Sequence, residues 1–283
     1  MKSKVGSVSV VMSTAHEPLD IVRQAVESIL LQTLLPDEFI IIVEDASNTE
    51  VFEYLQKLAD ETPLLKVFLH QEQQGLAICR NEGIYQSTSD YVALMDADDV
   101  SMPHRLETEL TYLLTHQADG VFAQVEHVNE AGESVGYFHP TTENSKRDIF
   151  LKHIFVHPTG FFKREVFKTE KYDPAFMRAQ DIDLWIRLLH DGKILKIVPE
   201  VLLKYRVYRD SAIESRLKRQ SGYAKYGFKI VQKHFLSYVL NPYFFYFTVK
   251  WFFYNVLLNH SPEKMLIGLV KLKDVVRKHK VTG

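Results

Sequence analysis

Apolar residues in the first 115 positions alternate between two patterns. Short runs of β-branched and aromatic residues predict buried strands, and segments with an apolar residue at every third or fourth position predict helices. The predicted strands are 8–12, 39–43, 66–69 and 91–95, and the predicted helices lie near 19–30, 51–58, 76–85 and 106–114. This β-α-β-α order predicts an α/β fold, a mostly parallel central sheet with helices on both faces.

The pattern changes after Gly120. Residues 121–128 partly alternate between apolar and polar side chains, which predicts a half-exposed strand, and residues 130–133 have the composition of a hairpin turn. A helix face around Trp185 ends at Gly192, and residues 194–198 predict a further strand. The second half therefore mixes strands and helices around the same sheet, and the chain looks helical from Tyr223 onward.

Composition limits the class of protein. The 283 residues are 46% hydrophobic and 25% charged, which is typical of a globular protein with a large core. Cys79 is the only cysteine, so an intramolecular disulfide and a cysteine-rich zinc cluster are excluded. No signal peptide is evident, and we expect a cytoplasmic, reducing location.

The net charge of −2 conceals a strong asymmetry. Residues 1–203 carry 18 Lys and Arg against 32 Asp and Glu, a net charge of −14, whereas residues 204–283 carry 16 against 4, a net charge of +12. The same tail holds 16 of the 34 aromatic residues. A basic, aromatic tail predicts an anionic partner, and a membrane surface is the first candidate.

The longest apolar stretch of the tail, residues 235–258, is interrupted by Asn241-Pro242 and Lys250, which argues against a membrane span. We expect an in-plane amphipathic segment that attaches the protein peripherally to the inner face of the cell membrane. The alternative is a helix pair that packs on the domain or on a second subunit in a homodimer. No nucleic-acid partner is expected.

Acidic residues follow the predicted strand 91–95. Asp96, Asp98 and Asp99 stand at its carboxyl end, where open α/β sheets bind ligands. Three carboxylates within four residues repel one another, so they need a cation or strong donors nearby. Such oxygen ligands suit Mg²⁺ or Mn²⁺, which commonly hold substrate phosphates as well. The alternative is a solvated acidic turn that caps the helix after Pro103.

Two other strand ends carry candidate binding groups. The turn at residues 13–18 leads into a helix whose free N–H groups suit a phosphate or a base. Asp45 follows the second strand and can accept a hydrogen bond from a base N–H. The alternative is simple helix capping by Ser47 or Asn48.

Arg80 and Asp181 are candidates on helices. Arg80 follows Gly75 at a loop-to-helix junction, where it either approaches phosphates or forms a surface ion pair with Glu82 or another acid. Asp181 lies at a helix start, where a carboxylate serves either as a general base or as an N-cap.

The order and spacing of these segments resemble the inverting glycosyltransferases of family 2, which have the GT-A fold. The resemblance covers about residues 8–209. It implies a Rossmann-like GT-A domain over residues 1–209 and leaves a helical extension over residues 210–283. Its pieces occur in family order: the first strand and turn, Glu44-Asp45 with Ser47, Gly75 with Arg80-Asn81-Glu82-Gly83, Asp96-Ala97-Asp98-Asp99 with Met102-Pro103-His104-Arg105-Leu106, and Asp181-Ile182-Asp183-Leu184-Trp185-Ile186-Arg187-Leu188.

The resemblance implies a binding site for a nucleotide-sugar donor. Asp45 would bind the base, and Thr14 would lie beside that base. Asp96 would contact the ribose. His16 and Glu17, in the same turn as Thr14, and Arg80 would be the other nucleotide-binding residues.

The resemblance also implies a metal and a catalytic base. Asp98 would coordinate Mn²⁺ or Mg²⁺, with Asp99 as a further contact, and Asp181 would deprotonate the acceptor hydroxyl. The implied reaction moves one sugar, with inversion, from a donor that is UDP-linked by default to a glycan or lipid-linked glycan. Assembly of a bacterial surface polysaccharide, such as capsule, O-antigen or exopolysaccharide, is the expected setting.

The chain departs from the family pattern at three positions. Ala15 stands where an aromatic residue often stacks on the base, and His16 is the candidate substitute. Gln180 precedes the candidate base where Glu is common, and Tyr208 replaces the His of a Tyr-Arg-x-His motif, so no histidine metal ligand is expected there. The Gln-x-x-Arg-Trp motif of processive members is absent, which favours single-sugar addition.

Two other functions fit parts of the sequence. Asp96-Ala97-Asp98-Asp99-Val100 matches the Asp-x-Asp-x-Val pattern of haloacid-dehalogenase-like phosphohydrolases, with Asp96 as nucleophile. That class carries its nucleophile near the chain start, however, and does not account for Asp45 or Asp181. The other possibility is a non-catalytic relative that binds a nucleotide sugar.

Overall fold

A computed structural model describes residues 6–152, 154–208 and 213–260. The chain divides into two compact units, one ending at Val207 and one beginning at Tyr208. The predicted domain boundary, between residues 209 and 210, lies outside the described residues. The last part of the predicted membrane-binding tail, residues 261–283, lies outside them as well.

The first unit begins with alternating strands and helices. Every strand and helix predicted in the first 115 residues is present. The strands are β1 (Val8–Thr14), β2 (Glu38–Val43), β3 (Leu65–Leu69), β4 (Tyr91–Asp96), β5 (Val100–Ser101), β6 (Gly120–Val128), β7 (Ser134–Phe138), β8 (Phe161–Lys163) and β9 (Leu195–Arg206). The helices are α1 (Leu19–Leu30), α2 (Thr49–Glu61), α3 (Leu76–Gln86), α4 (Arg105–Thr115), α5 (Ser145–Leu151), α6 (Val166–Thr169) and α7 (Gln180–His190), with a 3-10 turn at His157–Thr159.

One sheet holds these strands together, in the order β3-β2-β1-β4-β8-β6-β9-β5, and β7 pairs with β6. β1 is parallel to β2 on one side and to β4 on the other, and β3 is parallel to β2. Every residue of β1 and β2 is buried. Because successive side chains of a strand point to opposite faces, both faces of the sheet are covered here, as parallel strands require.

The second half of the sheet differs from the prediction at β6 and β9. The first six residues of β6 are buried, so the predicted half-exposed strand is wrong. β6 lies inside the sheet, antiparallel to β8 and parallel to β9, and its side chains are covered because α4 and the 3-10 turn at His157–Thr159 pack against it. β9 continues well beyond residue 198, because its pairing with β6 runs as far as Arg206.

A buried ion pair anchors α4 behind β4. The Arg105 guanidinium donates to the Glu109 carboxylate at 3.0 Å, to the Leu94 carbonyl at 2.8 Å and to Ser101 Oγ at 3.0 Å. Burial raises the pKa of Glu109 to about 7, although the Arg105 charge opposes the rise. The contacts fix the strand that ends at Asp96.

The second unit contains two helices, α8 (Ile213–Tyr238) and α9 (Pro242–His260). Asn241 Oδ1 caps α9, accepting from the backbone N–H groups of Tyr243 (2.9 Å) and Phe244 (3.1 Å). α9 packs on α8 so closely that a Cβ on Gly227 would overlap the Trp251 ring. None of the helices in the described residues is long and apolar enough to cross a membrane.

The predicted amphipathic character of the tail is wrong for α9. Apolar side chains lie both on the side of α9 that contacts α8 and on the opposite side, so the helix is not divided into one apolar and one polar face. Tyr238 and Phe244, whose ring centroids are 5.6 Å apart, belong to the α8–α9 contact, whereas Phe245 and Phe253 on the other side of α9 are more than half exposed.

Candidate active site

The carboxyl ends of three neighbouring strands meet at one edge of the sheet. β1 lies between β2 and β4, and the register pairs Thr14 with Val43 and Ser13 with Asp96. Thr14, Asp45 and Asp96 are therefore brought to adjacent strand ends, although they are far apart in the sequence. This edge is where open α/β sheets bind ligands.

The turn between β1 and α1 is held by its own polar groups. One Glu17 carboxylate oxygen accepts from Thr14 Oγ1 at 2.8 Å and from the Ala15 backbone N–H at 2.7 Å. The Asn48 side-chain amide donates to the Ala15 carbonyl at 3.0 Å and so connects the start of α2 to this turn. No side chain caps α2 by a hydrogen bond, so the capping role considered as the alternative for Asn48 is wrong. His16 is exposed. Glu17 thus shapes the turn, and His16 faces solvent beside it.

Asp45 and Glu44 have different environments. Asp45 is half-buried and accepts from the Ser47 N–H at 2.8 Å; the hydrogen bonds from Ser47, with a smaller contribution from the His16 charge, lower the pKa of Asp45. Asp45 is therefore an ionised acceptor at neutral pH. Glu44 is buried and accepts from the Gly75 N–H, at the positive-φ residue before α3.

Arg80 lies inside the site, where it pairs with another acid, Asp96, and not with Glu82. Its Nη2 donates to Asp96 Oδ1 at 2.9 Å, and Arg80 as a whole exposes 8% of its surface. Glu82 instead contacts His70 Nε2, at the rim of an open cleft beyond β3. Burial alone would raise the pKa of Asp96, but the Arg80 charge and then His157 outweigh burial and hold that pKa well below its usual range.

His157 and Tyr172 complete the surroundings of Asp96, and sequence reasoning missed both. His157 Nε2 lies 2.9 Å from Tyr172 Oη, and Nδ1 lies 3.6 Å from Asp96 Oδ1, an electrostatic contact too long for a hydrogen bond. That buried Nδ1 has no hydrogen-bond partner. Asn81 holds Tyr172 by donating to its carbonyl (2.8 Å) and accepting from its N–H (2.9 Å). No local pattern distinguishes His157-Pro158-Thr159 from a structural turn.

Asp98 and Asp99 stand at different depths. Asp98 is half-buried, whereas Asp99 is buried and accepts from the Arg206 N–H at 2.8 Å through Oδ1. Asp99 Oδ2 is buried without a hydrogen-bond partner. Burial, followed by the charges of Asp98 and Asp96, raises the pKa of Asp99 well above its usual value.

Arg206, at the end of β9, fastens this acidic loop. Its guanidinium donates to the Asp98 carbonyl (2.9 Å) and to the Glu130 carbonyl (2.7 Å). Sequence reasoning placed Arg206 in the Tyr-Arg-x-His segment without a role. Arg206 reaches this loop because β9 continues to residue 206, whereas the predicted strand ended at residue 198.

The donor set suits a divalent cation that a ligand also coordinates. Within the described residues, no three His, Cys, Asp or Glu side chains are grouped so that they could hold a metal by themselves. Mg²⁺ and ions like it commonly take only one or two carboxylates and complete their coordination with phosphate oxygens and water. The unpartnered Asp99 Oδ2 and the neighbouring Asp98 fit that pattern. A cation there would offset the burial, and then the charges of Asp98 and Asp96, that raise the Asp99 pKa.

Asp181 is the second residue of α7 and is half-buried. The residue before the helix, Ala179, has a left-handed backbone, and no side chain caps α7. Burial is the largest cause of the raised Tyr172 pKa, and the Asp181 charge raises that pKa further. The Asp181 charge also contributes, after Asp96, to the raised pKa of Arg80. Asp181 therefore lies near the same Arg80–Tyr172 cluster that surrounds Asp96.

Comparison with known proteins identifies the family. The profile described as Glycosyl transferase family 2 matches residues 9–170, which run from the second residue of β1 past β8 and contain the Asp96–Asp99 cluster. The chain belongs to glycosyl transferase family 2. This glycosyltransferase is 30% identical over 274 residues to an uncharacterized glycosyltransferase of Methanocaldococcus jannaschii, an alignment that covers 94% of this chain and 93% of the relative. It is 29% identical to the O-antigen biosynthesis glycosyltransferase WbnJ of Escherichia coli, over 74% and 83% of the two chains.

Solved structures show the same fold. The glycosyltransferase superposes on S. aureus TarS with a TM-score of 0.62 at 14% identity, over 81% of this chain and 65% of the TarS chain. A crystal structure of TarS in complex with UDP gives a TM-score of 0.58 over 81% and 72% of the two chains. The GT-A fold predicted from the sequence is confirmed.

Proposed function

We propose that this family 2 glycosyltransferase is metal-dependent and inverting, and that it moves one sugar from a nucleoside diphosphate sugar, UDP-linked, to an acceptor hydroxyl. The observation that carries the proposal is the gathering of Asp45, Asp96 and Asp98 at one sheet edge, with Asp181 close to the cluster that orients Asp96. Shared fold with TarS, which has been crystallised with UDP, supports the choice of base.

The donor would lie across the ends of β1, β2 and β4. Asp45 is ionised and half-exposed, so it can accept from a base N–H. Asp96 is held ionised and oriented by Arg80 and His157, which suits a ribose hydroxyl. Asp98, with Asp99 behind it, would hold Mn²⁺ or Mg²⁺ against the diphosphate, and the ion would stabilise the charge that develops on the leaving group.

Asp181 would act as the general base. Its carboxylate takes the proton from the acceptor O–H as the oxygen forms a bond to the anomeric carbon. The bond between that carbon and the diphosphate oxygen breaks, and the nucleoside diphosphate leaves with the electron pair on the opposite face. Sugar configuration is therefore inverted in one displacement, without a covalent enzyme intermediate.

We also propose that the acceptor is a glycan or a lipid-linked glycan in surface polysaccharide assembly, and that the enzyme works as a peripheral protein at the inner face of the membrane. The similarity to WbnJ, an O-antigen biosynthesis enzyme, supports the acceptor class. The basic, aromatic tail supports the location.

Carboxylate-to-amide variants test the proposed roles. We expect Asp181→Asn to lower kcat by about 10²–10⁴-fold, because the amide cannot take a proton, while UDP binding stays near that of the wild type. Asp98→Asn should remove both transfer and the Mn²⁺-dependent part of UDP binding. Transfer is measured as UDP release from a panel of UDP-sugars with a soluble acceptor, and binding by calorimetry.

Asp191→Asn is the matched control, since Asp191 directly follows the same helix and is exposed. It should keep wild-type activity. Full transfer by Asp181→Asn would remove Asp181 from the mechanism. Wild-type protein that binds UDP but transfers no sugar from any donor would identify a non-catalytic relative, and release of inorganic phosphate dependent on Asp96 would favour the phosphohydrolase.

A further inference from the structure

The side of α9 turned away from α8 is an uninterrupted apolar surface. Phe245, Val249, Phe252, Phe253 and Val256 recur with helical spacing and are all more than a third exposed. We refer to these five residues as the α9 stripe. It contains no charged residue, and Phe245 and Phe253 expose 68% and 65% of their surface.

The end of α8 and the following residues extend this apolar surface. Leu236 and Leu240, just before α9, are 88% and 94% exposed, and Val239 between them is 48% exposed. Soluble monomeric proteins rarely leave so many neighbouring large apolar side chains in water, so the surface indicates a binding partner.

Charge decides between a second copy of the chain and a lipid surface. The tail that carries the stripe has a net charge of +12, so two tails placed face to face would repel each other. An anionic bilayer attracts the same charges, at about 1 kcal/mol for each Lys or Arg near its surface. The acidic remainder of the chain, with its net charge of −14, is repelled, which leaves the tail as the part that approaches the bilayer.

We propose that the α9 stripe, together with Leu236 and Leu240, is a membrane-contact surface that lies in the interfacial layer of an anionic bilayer. Phe rings and Leu side chains enter the boundary between headgroups and acyl chains, while lysines such as Lys250, whose Nζ lies 5.7 Å from the Trp251 ring centroid, stay at headgroup level. This inference rests on the proposed peripheral location and assigns the residues that produce it.

Vesicle flotation of the full chain tests the surface. Wild-type protein should float with vesicles of equal parts phosphatidylcholine and phosphatidylglycerol, and less with phosphatidylcholine alone or at high salt. The double variant Phe245→Ser/Phe253→Ser should bind the anionic vesicles about tenfold more weakly or worse, because two apolar rings no longer leave water. Since both side chains are exposed, the variant should keep the wild-type melting temperature.

The matched control removes exposed apolar side chains from the first unit. Leu31→Ser/Tyr85→Ser, at positions 73% and 81% exposed, should bind vesicles like the wild type. Sugar transfer to a soluble acceptor should be unchanged in both double variants, which separates failure of this inference from failure of the proposed activity.

Two outcomes would overturn the inference. One is the absence of wild-type flotation with anionic vesicles even at low salt, and the other is equal flotation of wild type and stripe variant. Light scattering then distinguishes a subunit interface. If Phe245→Ser/Phe253→Ser converts a dimer into a monomer and leaves vesicle binding unaltered, the α9 stripe is a contact between subunits.

Discussion

Arg80 and His157 approach the same oxygen of Asp96. Arg80 forms a hydrogen bond to Oδ1, and His157 Nδ1 lies 3.6 Å from it; the other oxygen, Oδ2, takes part in neither contact. Tyr172, fixed by Asn81, holds the far nitrogen of His157. The network therefore fixes the direction of the carboxylate before any ligand binds, which favours Asp96 as a ribose contact.

His157→Gln tests this positioning role. A glutamine amide cannot contact Tyr172 and Asp96 at the same time, so Asp96 loses part of its support. We therefore expect the donor KM and the UDP dissociation constant to rise about three- to tenfold while kcat changes little. Steady-state kinetics with varied donor and calorimetry with UDP measure the two quantities.

Tyr172→Phe is the companion variant, because it keeps the ring over Arg80 and removes only the hydroxyl that contacts His157. It should shift the donor KM in the same direction and by less. A fall in kcat with an unchanged donor KM in His157→Gln would show that the residue does not act through donor binding.

At the level of elements, Glu38 ties the amino end of β2 to its neighbours. Its carboxylate accepts from Ser9 Oγ on β1 (2.6 Å), Lys66 Nζ on β3 (2.6 Å) and the Thr88 N–H before β4 (2.8 Å). Burial alone would raise the pKa of Glu38, but these hydrogen bonds outweigh it and lower the pKa to about 2. One side chain thus joins the four parallel strands at the edge opposite the site.

We expect Glu38→Gln to lower the free energy of unfolding by about 2 kcal/mol near neutral pH. The folded pKa lies below the ordinary value of 4.5, so the stabilisation is complete above that value and is lost as pH falls towards 2. The difference between wild type and variant should therefore shrink by about 1 kcal/mol between about pH 7 and pH 4. Urea denaturation at several pH values measures it.

Glu53→Gln, on the exposed side of α2, is the control and should leave the free energy of unfolding near neutral pH close to that of the wild type. A Glu38→Gln difference that stays constant down to pH 4, or grows as the pH falls, would contradict the lowered pKa.

At the scale of the whole molecule, UDP binding should raise the melting temperature of the protein. UDP at a hundred times its dissociation constant adds about 2.7 kcal/mol to the unit that binds it, which corresponds to a rise in melting temperature of about 5 °C or more. We expect that rise with Mn²⁺ present and little of it after EDTA treatment, because the proposed site at Asp98 and Asp99 would then hold no cation to bind the diphosphate.

Differential scanning fluorimetry with UDP, Mn²⁺, both or neither measures this coupling, and Asp98→Asn should lose the Mn²⁺-dependent part. Equal UDP stabilisation with and without metal would contradict metal-assisted donor binding. No stabilisation by any nucleotide would argue against the donor site at this edge.

The sequence by itself determined the first four β-α units and the residues at their carboxyl ends. Buried parallel strands are continuous apolar runs, and the motifs with Asp45, Asp96 and Asp181 are local, so both can be identified without coordinates. The family resemblance carried by those motifs is confirmed by the profile match. Their individual roles stay predictions.

Only the tertiary structure decided which groups surround those carboxylates. Arg80, His157 and Tyr172 come from different parts of the chain and meet at Asp96 because β4, α3 and the 3-10 turn pack together, and no spacing in the sequence encodes that contact. Burial inside the sheet likewise overrode the alternating pattern of β6, and pairing with β6 lengthened β9 far enough to place Arg206 on the Asp98–Asp99 loop. Long-range pairing, unlike local periodicity, depends on neighbours that a linear pattern does not specify.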